Sequence, residues 1–85
     1  MTRRVEFRDR IDVRGMRTQE ALEKVTRLID DAMLLGIPEI KILHGKGEGI
    51  LKEQIRSYIM AEGIASSIQD ENEDMGGAGI TVIKF

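Results

Sequence analysis

Twice in its first sixty residues the chain passes from a short apolar run, through a turn rich in glycine and charge, into a helix-like stripe. The first passage is Ile11-Asp12-Val13-Arg14-Gly15-Met16-Arg17. The second starts at Glu39–Leu43 and turns through His44-Gly45-Lys46-Gly47-Glu48-Gly49. Two βα units in so short a chain leave little topological choice. Their strands pair in parallel through a right-handed crossover, and both turns open on the same edge of the sheet. That edge is where open α/β sheets take their ligands.

The rest of the pattern completes this frame. Ile11 and Val13 alternate with Asp12 and Arg14, the period of a half-buried strand, which sets Asp12 and Arg14 on the face away from the core. Thr18 reads as an N-cap and Glu20 as an acid in the first helical turn. Leu22, Val25, Leu28, Ile29, Ala32 and Met33 form one apolar stripe, which Gly36 and Pro38 terminate. Glu39–Leu43 is a strand with Ile40 and Ile42 inward. Leu51, Ile55 and Ile59 mark a second helix from Ile50 to about Met60, ending near Gly63. Ile64–Gln69 alternates as a third strand, and Ile80–Phe85 is a fourth. Between them lie an acidic run, Asp70–Asp74, and a flexible connection, Met75-Gly76-Gly77-Ala78-Gly79. The expected class is α/β: a two-layer βαβαββ sandwich, with a four-stranded mixed sheet, a closing antiparallel hairpin and both helices on one face. Residues 1–9 are expected to be a linker or an extra edge strand, and residues 10–85 the domain.

Eighty-five residues allow one small core, burying roughly 60% of the unfolded surface. The absence of cysteine excludes disulfides, thiolate metal sites and cysteine catalysis. Without a leader-like segment or a long apolar run, a cytoplasmic protein with no membrane partner is expected. The net charge of −2 does not suit a uniformly basic nucleic-acid binder. Its distribution is uneven, however. Residues 1–17 carry six arginines against three acids, while residues 47–85 carry three bases against seven acids. Such a domain can offer a basic edge to phosphates.

The glycine-rich turn fits that role. Glycines let backbone amides approach a phosphate, a helix N-terminus adds free N–H groups, and Lys46 adds charge. The turn lacks the Gly-Lys-Ser/Thr of a P-loop, and Ile50 stands where a dinucleotide fingerprint needs glycine. An ordinary turn requiring positive φ would show the same spacing. His44 is the sole histidine, so it cannot join a histidine pair. Its near-neutral pKa suits proton exchange with a phosphodiester oxygen, although a lone histidine also serves as a strand-end cap. Asp12 could orient His44, hold a divalent cation (Mg or Mn) through water, or simply pair with Arg14. Arg14 and Arg17 could each clamp phosphate oxygens with two hydrogen bonds. The expected catalytic set is therefore His44, Asp12 and Arg14. The expected nucleic-acid-binding set is Arg14, Arg17, Gly45, Lys46, Gly47 and Gly49. Asp70, Asn72 and Asp74 match the first spacings of a calcium loop, but Met75 and Thr81 occupy its glycine and glutamate positions, so that match fails.

Ile11-Asp12-Val13-Arg14-Gly15, His44-Gly45-Lys46-Gly47 and the glycine-rich Gly76–Ile83 stretch together resemble the Smr (small MutS-related) domain, from about residue 10 to the end. The ending directly after the last strand is similar to the C-terminal domain of MutS-family proteins of the second subfamily. The resemblance implies a βαβαββ sandwich like the C-terminal domain of bacterial translation initiation factor three. It also implies binding to DNA or structured RNA, nicking without strict sequence preference, and parent ATPase domains acting in recombination control or on stalled ribosomes. The family's Leu-Asp-Leu-His or Leu-Asp-Leu-Arg motif maps onto Ile11, Asp12, Val13 and Arg14, and its His/Thr-Gly-x-Gly motif onto His44, Gly45, Lys46 and Gly47. Members with histidine in the first motif have a second imidazole. Arg14 exchanges no proton at neutral pH, so only binding and charge-stabilising roles carry over to it. A module without chemistry that directs a larger protein to DNA or ribosomal RNA is the alternative, and a protein-interaction domain using the open sheet face is a third.

Overall fold

The computed structural model describes residues 8–47 and 49–85. Residues 1–7, read above as part of a linker or edge strand, lie outside the described residues, as does Glu48. The elements run β1 (Arg10–Asp12), α1 (Thr18–Leu35), β2 (Glu39–Leu43), α2 (Ile50–Glu62), β3 (Ser67–Asp70) and β4 (Ile80–Lys84). Two short 3-10 turns, Glu73–Met75 and Gly77–Gly79, link β3 to β4.

The sheet order is β1-β2-β4-β3. β1 and β2 are parallel, with Ile11 opposite Ile42 and Asp12 opposite Leu43. β4 inserts antiparallel between β2 and β3, so Ile83 faces Ile40 on one side and Ile68 on the other. Parity along each strand then separates two faces. Ile40, Ile42, Thr81 and Ile83 point to the helices and are fully buried. Asp12, Lys41 and Leu43 point to the open side.

The core is one cluster in which Val25, Leu28, Ile29 and Ala32 of α1 and Ile55 and Ile59 of α2 meet Ile40, Ile42 and Ile83 of the sheet. Both helices therefore cover the same face, as the pattern predicts. Each fully buried isoleucine contributes about 1.5–3 kcal/mol of transfer free energy. With so few aromatics, that aliphatic layer carries most of the burial.

Four local readings are corrected. β1 ends at Asp12, so Val13 continues only as a single backbone bond to the Leu43 carbonyl (2.9 Å) and Arg14 lies past the strand. Thr18 is already helical; Arg17 occupies the cap position, without a side-chain cap bond. Met33 is 54% exposed, one step off the stripe that buries Ile29 and Ala32. β3 begins at Ser67, and Ile64 and Ala65 pack on the core from the preceding turn instead. Gly36 and Gly63 close α1 and α2 in the left-handed conformation, as expected of helix-terminating glycines.

Candidate functional site

The two glycine-containing turns do meet on one edge. The Val13 amide bonds to Leu43, and the Arg14 side chain lies directly over Gly45. A β-carbon on Gly45 would sit 3.5 Å from Arg14 Cγ, an ordinary contact, whereas its φ of +85° is the feature that favours glycine there. Beyond the loop, α2 opens at Gly49, whose carbonyl accepts the Glu53 amide (2.9 Å). The amides of Ile50, Leu51 and Lys52 precede the first intrahelical donor and carry the positive end of the helix dipole. A shallow cleft of about 210 Å³ lies there, lined by His44, Gly45, Gly47, Gly49 and Lys52 among others.

On the open face of the sheet, Asp12 and Arg14 form a closed fork. Arg14 Nε donates to Asp12 Oδ1 (3.0 Å), a terminal guanidinium nitrogen donates to Oδ2 (2.8 Å), and the Arg14 amide donates to Oδ1 (3.0 Å). These bonds from Arg14 lower the Asp12 pKa to about 2, and they raise that of Arg14. Both side chains are otherwise exposed.

On the helix face lies a different arrangement. The His44 ring is 7% exposed, its Nδ1 lies 2.9 Å from the Gly45 carbonyl, and its Nε2 lies 2.7 Å from Thr81 Oγ1. Arg56 of α2 donates from Nε to the same Thr81 oxygen (3.1 Å) and pairs with Asp70 of β3. Lys52 bonds to Asp70 (2.8 Å) and to the Ala78 carbonyl (3.3 Å). Burial lowers the pKa of His44, and the charges of Lys52 and Arg56 act in the same direction. Asp70 is lowered by Lys52 first, then by Arg56.

The expected residues thus share an edge, but not one point. Asp12 and Arg14 lie on the open face, and the His44 ring, continuing the inward alternation of Ile40 and Ile42, lies on the helix face. Asp12 therefore does not orient His44; Gly45 and Thr81 do. Lys46 is exposed, with its stem against Gly79, where a β-carbon would lie 3.3 Å from Lys46 Cγ. Arg17 is exposed at the head of α1 and makes no ion pair among the described residues. Gly47 and Gly49 shape the loop that leads into α2. As for a cation, no group of three or more His, Cys, Asp or Glu side chains converges among the described residues. Asp12 spends both oxygens on Arg14, so the donor set does not fit a resident metal ion.

Thr81, Arg56, Lys52, Asp70 and Gly79 are absent from the expected set. The Gly79 carbonyl accepts both the His44 amide (3.1 Å) and the Gly45 amide (3.0 Å), so the glycine-rich connection read as flexible is stitched to the loop. One signal was available: Thr81 is polar at an inward position of an otherwise apolar strand. Lys52 and Arg56, four apart on one helix face, were a second.

Comparison with known proteins supplies the remaining findings. The Smr domain family matches residues 11–85. The chain is 37% identical over 75 residues to endonuclease MutS2 of Listeria welshimeri, and 37% identical over 80 residues to that of Symbiobacterium thermophilum. These alignments cover 88% and 94% of the chain, yet only 10% of each relative, so the chain spans about a tenth of the length of the curated relatives it matches. The crystal structure of the Smr domain of Thermus thermophilus MutS2 superposes with a TM-score of 0.85 at 34% identity, covering 89% of this chain and 95% of that one. YdaL, a stand-alone small MutS-related protein from Escherichia coli, shares the fold at 20% identity and a TM-score of 0.69, over 91% of this chain and 63% of that one. No helix among the described residues is long and apolar enough to cross a membrane.

Proposed function

The chain belongs to the Smr domain family, and on that footing we propose that it binds the phosphate backbone of DNA or structured RNA and nicks it, as one module of a larger MutS2-like ATPase. Recombination control or the rescue of stalled ribosomes is the setting we propose for that parent. The observation that carries the reading is the seating of the Arg14 side chain over Gly45, in the loop that leads into the first-turn amides of α2. A guanidinium fork, exposed Lys46 and unpaired helix-terminal N–H groups then share one edge, an arrangement suited to phosphate oxygens.

A phosphodiester presents two oxygens much as a carboxylate does, so it competes with Asp12 for the Arg14 fork. Arg14 and the first-turn amides of α2 then stabilise charge on the phosphate, and Asp12 is freed beside it. Hydrolysis also needs a base for water and an acid for the departing oxygen. Among the described residues His44 and Asp12 are proton carriers at this edge, and each is engaged before substrate arrives, so slow turnover is expected. A binding module without chemistry is the second reading. One observation favours it: both nitrogens of the only histidine are committed to protein partners.

The test incubates the domain with supercoiled DNA and with a structured RNA, across a salt series, with Mg²⁺, Mn²⁺ or chelator. Salt-sensitive binding with accumulating open-circle DNA or cut RNA supports the first reading. Salt-sensitive binding without cleavage selects the second. Salt-insensitive recognition of one base sequence would contradict both.

A further inference from the structure

The bonds around His44 fix where its proton sits. A carbonyl only accepts, so Nδ1, 2.9 Å from the Gly45 oxygen, carries the hydrogen. A ring that stays neutral then has a bare Nε2, which accepts from the Thr81 hydroxyl at 2.7 Å. The Thr81 oxygen in turn accepts from Arg56 Nε, which has no other role available to it, and Asp70 anchors the far end of that guanidinium. Every donor in the chain has one acceptor, and among the described residues no buried side-chain nitrogen or oxygen lacks a partner.

We propose that Thr81 is the positioning residue of the glycine loop: its hydroxyl, aligned by Arg56, donates to Nε2 and holds His44 as the neutral Nδ1–H ring that tethers the Gly45 carbonyl. Protonating the ring breaks this order. Nε2–H and Arg56 Nε–H would both donate to one hydroxyl oxygen, and the hydroxyl hydrogen would lose its acceptor. Of the charged groups facing the ring, Lys52 and Arg56 from α2 oppose a positive ring, and Asp70 from β3, which favours one, is paired with both of them. His44 is therefore a clasp between the loop and β4 in the unliganded domain. The His44 and Gly45 amides are themselves held by the Gly79 carbonyl, so the clasp fixes the loop that leads to the first-turn amides of α2, the groups available to an anion. This last consequence rests on the phosphate-binding reading; the ring chemistry does not.

The test is nitrogen NMR of the ring in ¹⁵N-labelled domain, titrated from alkaline to acidic pH, with short double-stranded DNA added separately. The wild type should show a protonated Nδ1 and a bare Nε2 at neutral pH, and should charge below the ordinary histidine value. Thr81→Ser should reproduce this. Thr81→Val leaves Nε2 without a donor and should move the Nε2 resonance away from its hydrogen-bonded position and weaken DNA binding about fivefold, the equivalent of one ordinary hydrogen bond. Arg56→Gln should raise the midpoint, by removing a charge and freeing the hydroxyl to turn, and it decides the matter if the valine variant does not fold. An Nε2–H ring in the wild type, charging at or above the ordinary value, or a serine variant that behaves like valine would overturn the proposal. A wild type that ignores DNA while keeping the neutral Nδ1–H ring would sink the phosphate reading and leave the positioning role standing.

Discussion

The domain carries two arginine-centred clusters at the same sheet edge, and they differ in almost every physical respect. Arg14 and Asp12 are two residues apart, exposed, and among the described residues joined only to each other. Arg56, Thr81, His44 and Asp70 come from α2, β4, the β2–α2 loop and β3, and they interlock across the helix face. An exposed pair has high-dielectric surroundings and little net worth to stability, so its arginine can exchange a carboxylate for a phosphate at small cost. In the second cluster only His44 and Thr81 are buried, while Arg56 and Asp70 reach the surface; its buried link is stabilising only while complete, because a missing member leaves its neighbour unsatisfied. The first cluster is built to change partners and the second to keep them. Between them runs the glycine loop.

The largest effect should come from breaking the buried cluster. His44→Ala removes a buried ring and strands the Thr81 hydroxyl, so a loss of about 2–4 kcal/mol is expected. For a domain of this size that lowers the melting temperature by roughly 4–8 °C per kcal/mol, readable by thermal denaturation. Arg14→Ala should change stability by less than about 0.5 kcal/mol in the same experiment. Equal losses in the two variants would erase the distinction. Nicking assays on His44→Ala should be run well below its melting temperature, since lost activity could otherwise report unfolding.

Binding should show the opposite ranking. Arg14→Ala is expected to weaken DNA binding roughly tenfold and to reduce the salt slope by about one. Asp12→Asn should strengthen binding a few-fold, because it removes the carboxylate that competes for the Arg14 fork and one negative charge. An Asp12→Asn variant that binds more weakly would mean that Asp12 organises the site rather than occupying it. Fluorescence anisotropy at several salt concentrations reads both numbers.

Acid should separate the clusters as well. The folded-state pKa of His44 lies below its unfolded value, so the folded form binds fewer protons at mildly acid pH. Its contribution is fully present above the unfolded value of about 6.5 and is lost as pH falls from there through the folded value. Asp12 is also depressed, but to about 2, so the fork persists above the unfolded carboxylate range and is lost only as pH falls through about 2. Urea titrations at stepped pH should show wild-type stability declining below about 6.5, and Arg56→Gln should show a shallower decline. A decline beginning only near pH 4 would place the effect on carboxylates instead.

The smallest effect belongs to Lys46. It is exposed on the loop, and Lys46→Ala should weaken DNA binding about two- to threefold without moving the melting temperature.

How much of this was legible in the sequence follows from range. The βα units, the hairpin and the apolar stripes are local patterns, and Ile11, Val25, Ile40, Ile42, Ile55 and Ile59 all point where periodicity puts them. The Asp12–Arg14 pair was available as one option, being two residues apart. The convergence of Arg14 with Gly45 follows from parallel pairing. What periodicity does not carry is the partner a side chain meets. His44 continues the alternation of Ile40 and Ile42 to the helix face, but the Thr81 hydroxyl that it meets there is 37 positions away and is reached because β4 inserts beside β2. That insertion is a property of strand order, which two crossovers and a hairpin leave open. Gly79 was misread for the same reason: composition suggested slack, while its carbonyl had two amides to satisfy in another loop.

The most direct test of the central claim, that the edge between the two clusters is a phosphate site, is amide NMR of the domain titrated with short double-stranded DNA at low and then raised salt. Shifts should concentrate at Arg14, Arg17, Gly45, Lys46, Gly47 and Gly49 and in the first turn of α2, and should fade as salt rises. Shifts confined to the opposite end of the domain, around Met33–Ile37 and Glu62–Gly63, or their persistence at high salt, would contradict it.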